Sequence, residues 1–287
     1  MLGYEFRGGC YRHPGRQAIF LGDFVDRGPG IRETLQVVRA MVDRGAALAV
    51  MGNHEYNAIA YHTPDGAGGY FRPHTPKKEG QHIATLRAFQ GREDELRDYL
   101  KWFESLPLFL DLGALRIVHA CWDEQAIRDL GGSNRYDASL LAAHGAARNT
   151  RQEALHTLIK GPEIGVPGGD EYGEGQKEMR VKWWLNGEPI HYCHAGLQVS
   201  FDLPDEPLTE AERKVICGYA GDASPVFFGH YGYLKPAEAL APNVTCIDLG
   251  VAHGGPLCAY RWDGERQIDA AKFVCVQAST PSPEKQA

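Results

Sequence analysis

The sequence predicts an α/β domain, and two regularities carry that reading. Short apolar runs alternate with helical periods, and four of those runs stop at a metal-capable side chain beside a small residue. Ala18-Ile-Phe-Leu21 has the length and apolar character of a buried strand. Ile31, Leu35, Val38 and Val42 then mark one face of a helix, and Ala47-Leu-Ala-Val-Met51 is a strand again. A strand, a helix and a strand in that order imply a right-handed crossover between parallel strands.

The later elements follow from the same signals. A helix rich in Leu and aromatic residues is expected from Glu93 to Ser105, then a strand at Leu115-Arg-Ile-Val118. Thr150-x-x-Glu153 is a capping box that opens a helix, and Gly161-Pro162 closes it. The glycines and charges from Gly165 to Gln176 predict a loop. Further strands are expected at Arg180–Trp184, Ile190–Cys193, Val226–Phe228 and Val244–Ile247. Leu257–Trp262, the turn Asp263-Gly264 and Phe273–Val276 predict an antiparallel ending, and Ser279–Ala287 a frayed tail. With no internal repeat and no clear linker, residues 1–278 read as a single domain and 279–287 as its tail.

Composition narrows the function classes. With 43% hydrophobic and 23% charged residues over 287 positions, the chain reads as a globular protein with a core of useful size. Its formal net charge of -7 supplies no general field for nucleic acid or anionic lipid, though a local basic pocket could still hold a phosphate. Seven dispersed cysteines without a C-x-x-C pair read as reduced thiols and point to the cytoplasm. No stretch approaches the ~20 apolar residues of a membrane span.

The strand ends are the informative places. Leu21 runs into Gly22-Asp23, Met51 into Gly52-Asn53-His54-Glu55, Val118 into His119-Ala120, and Phe228 into Gly229-His230. Ligands of α/β sheets bind at the carboxyl ends of strands, where a small neighbour lets backbone and ion approach closely. One such dipeptide is weak evidence, because a lone His or Asp there is usually a satisfied structural residue. Four together are not.

Gly22-Asp-Phe-Val-Asp-Arg-Gly28, Gly52-Asn-His-Glu55, Val118-His119-Ala120 and Phe228-Gly229-His230 closely resemble the ordered motifs of calcineurin-like metallophosphoesterases. The bacterial branch similar to phosphoprotein phosphatases and diadenosine tetraphosphatases is the nearest likeness. The resemblance implies a four-layer α/β/β/α sandwich of two mixed sheets flanked by helices. It also implies metal-dependent hydrolysis of a phosphomonoester or phosphoanhydride in a phosphoprotein, a nucleotide or a dinucleoside polyphosphate.

By that resemblance Asp23 bridges two metals, and Asn53, His119 and His230 complete the shell of the second. His54 donates a proton to the leaving oxygen, Asp26 holds its imidazolium, and Arg27 grips the phosphoryl oxygens, with Asn53 also at the substrate. Two ions ~3.5–4 Å apart neutralise an anionic ester and acidify a bound water. Oxygen and nitrogen ligands together suit Mn, Fe or Zn. Glu55 reads as a structural partner.

The sequence departs from the family at one place. Family members begin with a strand ending in D-x-H-G, whose Asp and His hold the first metal, and nothing before Ala18 reads D-x-H. Leu2-Gly3-Tyr4 reads as the tail of the helix that follows that strand, so the first strand is expected to be missing. The site would then hold about one ion. A start placed downstream of the true one accounts for the gap; the alternative is a catalytically impaired phosphate- or metal-binding regulatory protein. His13 is a poor substitute ligand because His-Pro-Gly is a loop signal. His194, in Ile190-His-Tyr-Cys-His-Ala-Gly196, repeats the strand-then-His-Ala pattern and competes with His119, which fits the motif order better. Tyr61–His82 is expected to be a basic, substrate-facing loop or an ordinary solvated one. Trp183, Trp184 and Cys121 read as packed residues.

Overall fold

The structure, a computed structural model, describes residues 2–142, 147–166, 178–199, 202–233 and 235–277. The first half runs β1 (Glu5–Arg7), β2 (Cys10–Arg12), β3 (Ala18–Phe20), α1 (Ile31–Asp43), β4 (Ala47–Ala49), α2 (Asn53–His62), α3 (Pro76–Ala88), α4 (Glu93–Ser105), β5 (Phe109–Asp111), β6 (Arg116–Val118) and α5 (Glu124–Asp129). The second half runs α6 (Thr150–Lys160), β7 (Glu163–Gly165), β8 (Glu178–Arg180), α7 (Tyr192–Ala195), α8 (Glu210–Arg213), β9 (Val226–Phe228), β10 (Val244–Cys246), β11 (Pro256–Tyr260) and β12 (Phe273–Gln277).

The expected crossover is present: β3 and β4 pair in parallel with Ala18 opposite Ala47, and α1 connects them. A four-stranded mixed sheet has the order β10-β9-β6-β5, parallel except for the β5–β6 hairpin. β11 and β12 pair antiparallel, Pro256 opposite Gln277. The period-2 alternation of the strands divides their side chains between two apolar layers. Val118, Val226, Phe228, Val244 and Cys246 face the layer filled by Leu35 of α1, Phe103 of α4 and Leu155 of α6. Their neighbours Ile117 and Phe227 face a second layer with Val50, Leu115, Ile19, Tyr260 and Trp262. This mixed α/β packing of sheets against helices is the fold class that the motifs imply.

Several local expectations are corrected. The residues before Ala18 form a hairpin, Phe6 opposite Tyr11, turned by Gly8 and Gly9 at φ 59° and 82°; Leu2–Tyr4 are not helical. The cap of α6 is one residue earlier than expected: Asn149 accepts from Gln152 N and Gln152 accepts from Asn149 N, both at 3.0 Å. Glu153 instead pairs with Arg148. Trp183 and Trp184 are both buried, which a strand cannot do for two successive side chains on one face, so the chain turns at Lys182–Leu185 and only Arg180 of that run lies in β8. Ile190–Cys193 bends into the one-turn helix α7. Tyr61 and His62 finish α2, and Pro76–His82 lie in α3, whose N-cap Thr75 accepts from Lys78 N, so only 63–75 form a loop. Gly165 ends β7; residues 167–176 of the expected loop, and the tail 279–287, lie outside the described residues. Among the described residues no helix is long and apolar enough to cross a membrane.

On α1, Met41 takes the buried position and Val42 is half-buried, while Leu35 is 0% exposed. Leu35→Ala is expected to lower the unfolding free energy by about 2–5 kcal/mol in urea titration. Val37→Ala, at an exposed position of the same helix, should change it by less than about 0.5 kcal/mol.

Candidate functional site

Asp23, Asn53, His119 and His230 stand just beyond the carboxyl ends of β3, β4, β6 and β9. Because these strands lie in parallel pairs, the four turns gather at one edge of the sheets. The ligand-capable atoms of Asp23, His119 and His230 all fall within 4.8 Å of one another. Asn53 Oδ1 sits among them, 3.0 Å from His119 Nε2 and 2.8 Å from His230 Nδ1, while Asp23 Oδ1 lies 3.3 Å from His119 Nε2.

The turns that make this convergence are strained and tightly nested. Asp23, Asp26 and His230 have φ of 62°, 70° and 71°, a left-handed backbone that non-glycine residues adopt at a cost of order 1–3 kcal/mol and that clusters at functional sites. The two glycines make room. A Cβ on Gly22 would stand 2.5 Å from Gly52 N, and one on Gly52 would stand 2.4 Å from Asp23 Oδ1. Glu55 clasps the same turns: its buried carboxylate accepts from Gly52 N at 2.9 Å, Asp23 N at 2.8 Å and Phe24 N at 2.7 Å. Burial and the charge of Asp23 push its carboxyl up to about 7 against the Asp23 and Phe24 N–H donors and the charge of His119. Its partners are backbone groups, so Glu55 is structural, as its sequence context suggested.

Electrostatics fit a cation at the convergence point. His119 is buried and lies 2.5 Å through Nδ1 from Leu21 O, which turns Nε2 towards Asp23 and Asn53. That outer hydrogen bond is the arrangement of a metal-ligating imidazole. Burial alone would lower His119, but the charge and hydrogen bond of Asp23 and the Leu21 carbonyl lift it to about 9. Burial would likewise raise Asp23, yet His119, His54 and His230 hold it well below the usual carboxylate range. Burial, then the charges of His119 and Arg180, push His230 well below its ordinary value. Two oxygens and two imidazole nitrogens pointed at one another need either a shared proton or a cation between them, and the donor set suits a divalent transition ion.

Beside them stands a second cluster. His54 Nδ1 is 2.7 Å from Asp26 Oδ2, and the His54 backbone N–H donates to Asp23 Oδ1 at 3.1 Å. Asp26 does not pair with Arg27; its other oxygen meets His82 Nδ1 at 2.6 Å and the Thr85 hydroxyl at 2.7 Å. Burial disfavours the Asp26 anion, but the hydrogen bonds and charges of the two histidines hold its carboxyl well below the usual range. Against its own burial, the Asp26 hydrogen bond and the charges of Asp23 and Asp26 raise His54. Arg27 is exposed and makes no hydrogen bond among the described residues.

His82, Thr85 and Asp248 were not singled out from the sequence. His82 and Thr85 lie one turn apart on α3 and are 2% and 0% exposed; polar residues at the buried positions of an amphipathic helix were the available signal. Asp248 accepts from Gly232 N at 2.6 Å and Gly250 N at 3.0 Å, fastening the turn after His230. His194 is exposed on α7, and His13 Nδ1 accepts from Gly15 N at 3.0 Å within its own turn; neither belongs to the cluster. Cys121 is buried 3.9 Å from Cys217, and burial raises its thiol far above the reactive range.

Residues 10–231 match the family model described as Calcineurin-like phosphoesterase. The chain is 26% identical over 273 residues to the symmetrical bis(5'-nucleosyl)-tetraphosphatase of Janthinobacterium sp., covering 86% of this chain and 82% of that protein. It is 21% identical over 271 residues to the asymmetrical bis(5'-nucleosyl)-tetraphosphatase PrpE of Oceanobacillus iheyensis, covering 94% and 84%. With the PrpE of a Geobacillus species it shares 33% identity over 124 residues, 42% of this chain and 48% of the relative.

Gly52→Ala, whose Cβ would also meet Glu55 Oε2 at 2.8 Å, is expected to cost about 1–3 kcal/mol in thermal or urea unfolding and to loosen the cluster. Gly80→Ala in α3, where nothing lies within 4 Å, should be stabilising by about 0.5–1 kcal/mol.

Proposed function

The chain belongs to the calcineurin-like phosphoesterase family, a family of hydrolases, and on that premise we propose that it hydrolyses a phosphoanhydride of a dinucleoside polyphosphate with the help of divalent metal. The observation that carries the proposal is the meeting of Asp23, Asn53, His119 and His230 within reach of the His54–Asp26 pair. The similar bis(5'-nucleosyl)-tetraphosphatases favour a dinucleoside tetraphosphate over a phosphoprotein as substrate.

Asp23, Asn53, His119 and His230 would hold the ion, Mn, Fe or Zn by their chemistry. Such an ion, when bound, neutralises phosphoryl charge and acidifies a water. Asp26 fixes the Nδ1 side of His54 and raises its affinity for a proton, leaving Nε2 to deliver a proton to the departing phosphate oxygen. His82 and Thr85 saturate the second oxygen of Asp26, so that carboxylate cannot swing away from His54. Arg27, which makes no hydrogen bond among the described residues, would reach the phosphoryl oxygens from the rim. Glu55 carries no chemistry and keeps the turns in register. The seven unbridged cysteines favour a cytoplasmic setting.

One observation supports a second reading. Among the described residues Asp23, His119 and His230 form the ionisable ligand cluster, a set suited to one ion, and a one-metal protein would bind phosphate and turn over slowly.

His54→Ala is expected to lower kcat about 10²–10⁴-fold for a phosphoester with a poor, alkoxide leaving group while metal content, read by elemental analysis, stays near wild type. An activated aryl phosphate should lose much less, since its leaving group needs little protonation. Equal losses on both substrates together with lost metal would show that His54 is a ligand instead.

A further inference from the structure

A second concave site lies behind the first. It is a cavity of about 220 Å³ between α2, α3 and α6, lined by Tyr56, Phe71, Arg72, Lys78, Arg148 and Lys160. Four cations in one pocket are unexpected for a chain of net charge -7. They are also poorly neutralised. Arg148 meets Glu153 at 3.4 Å, while Arg72 donates to the neutral Gln81 at 2.7 Å, and no carboxylate among the described residues pairs with Arg72, Lys78 or Lys160. Glu163 and Asp26 act on Lys160 and Arg72 only at a distance, so the pocket holds weakly compensated like charge, which a protein tolerates where an anion comes to sit.

Its position connects it to the proposed reaction. Helix α2 presents Asn53 and His54 to the candidate active site and Tyr56, Asn57 and Ala60 to the cavity. Asn57 is three residues beyond His54, a rise of about 4.5 Å along the axis. On α3, Lys78 stands one turn before His82, which bonds Asp26. The same two helices thus carry His54 and His82, the two histidines that bond Asp26, and present the basic pocket at an adjacent turn.

We propose that this pocket binds the distal phosphates of a dinucleoside polyphosphate whose scissile phosphoryl group lies at Asp23 and His230, with Tyr56 and Phe71 as the apolar walls beside them. The inference rests on the reading of the substrate class given above. A substrate with a single phosphate would fill the first site alone; a longer chain of phosphates would bridge both. Burial, then the charges of Arg148, Arg72 and Lys78, push Lys160 down to about 8. Folding is therefore opposed by that charge below pH 8, and stability should rise as pH passes from about 8 towards the unfolded value near 10.4.

The test uses the full chain loaded with Mn, its Lys160→Met variant and its Arg148→Gln variant. Inorganic tripolyphosphate is titrated by calorimetry, and each variant should bind it about 10–100-fold more weakly, the worth of one charge-assisted hydrogen bond. Lys160→Met should at the same time raise Tm of the ligand-free protein, an effect opposite to that of removing a structural side chain. The ratio of kcat/KM for diadenosine tetraphosphate to that for p-nitrophenyl phosphate should fall by a similar factor, mainly through KM. Unchanged tripolyphosphate affinity, a lowered Tm accompanying the weaker binding, or equal losses on both substrates would each overturn the assignment. If the wild-type chain hydrolyses neither substrate, the functional reading fails while the titration and Tm still decide the pocket.

Discussion

The site depends on one buried carboxylate. Glu55 accepts three backbone N–H groups, from Asp23 and Phe24, which lie 32 and 31 residues before it in the chain, and from Gly52 three residues before it. Without those bonds the N–H groups would be buried and unpaired, at about 1–3 kcal/mol each. With them, the left-handed Asp23 is held over the N-terminus of α2, and His54 N can donate to its Oδ1. The glycines at positions 22 and 52 are the steric counterpart, because the clasp draws the two turns closer than any Cβ would allow.

From that clasp the rest of the centre is built outward. The Leu21 carbonyl, placed by the same turn, orients His119, and the His119 carbonyl in turn accepts from Gly229 N at 2.8 Å, so that the turn bearing His230 is tied to the one bearing His119. A displacement of any one strand end would therefore be felt at the others. The carboxylate of Asp26 belongs to a separate chain of hydrogen bonds, His54 to Asp26 to His82, and His82 Nε2 lies 3.2 Å from His62 Nε2. Burial, with His82 and His74 nearby, pushes His62 down to about 4, while at the other end, against its own burial, the Asp26 hydrogen bond raises His54.

The distribution of charge completes the picture of an anion-handling protein. An overall acidic chain concentrates Arg72, Lys78, Arg148 and Lys160 against two apolar rings, one helical turn from His54 and Asp26. Such local concentration governs which ligands are drawn to a concave surface far more than net charge does.

The amino-acid sequence by itself determined the parallel β3–α1–β4 crossover, the span of α4, the strand at Val226–Phe228 and the family, because these rest on periodicity and on contiguous motifs. It also named Asp23, Asn53, His54, His119 and His230, whose positions after strand ends are local facts, and Asp26 through the resemblance of the Gly22–Gly28 motif to the family's. Tertiary structure decided what locality cannot carry. The choice between His119 and His194 turned on where Ile190–Cys193 bends, and that run was read as a strand although α7 forms there. His82 and Thr85 reach Asp26 across 56 and 59 residues because α3 forms where a loop was expected. The basic pocket likewise draws its cations from a loop, α3, the approach to α6 and the last residue of α6. No short window of sequence contains that arrangement, since it exists only when packed helices bring distant charges together.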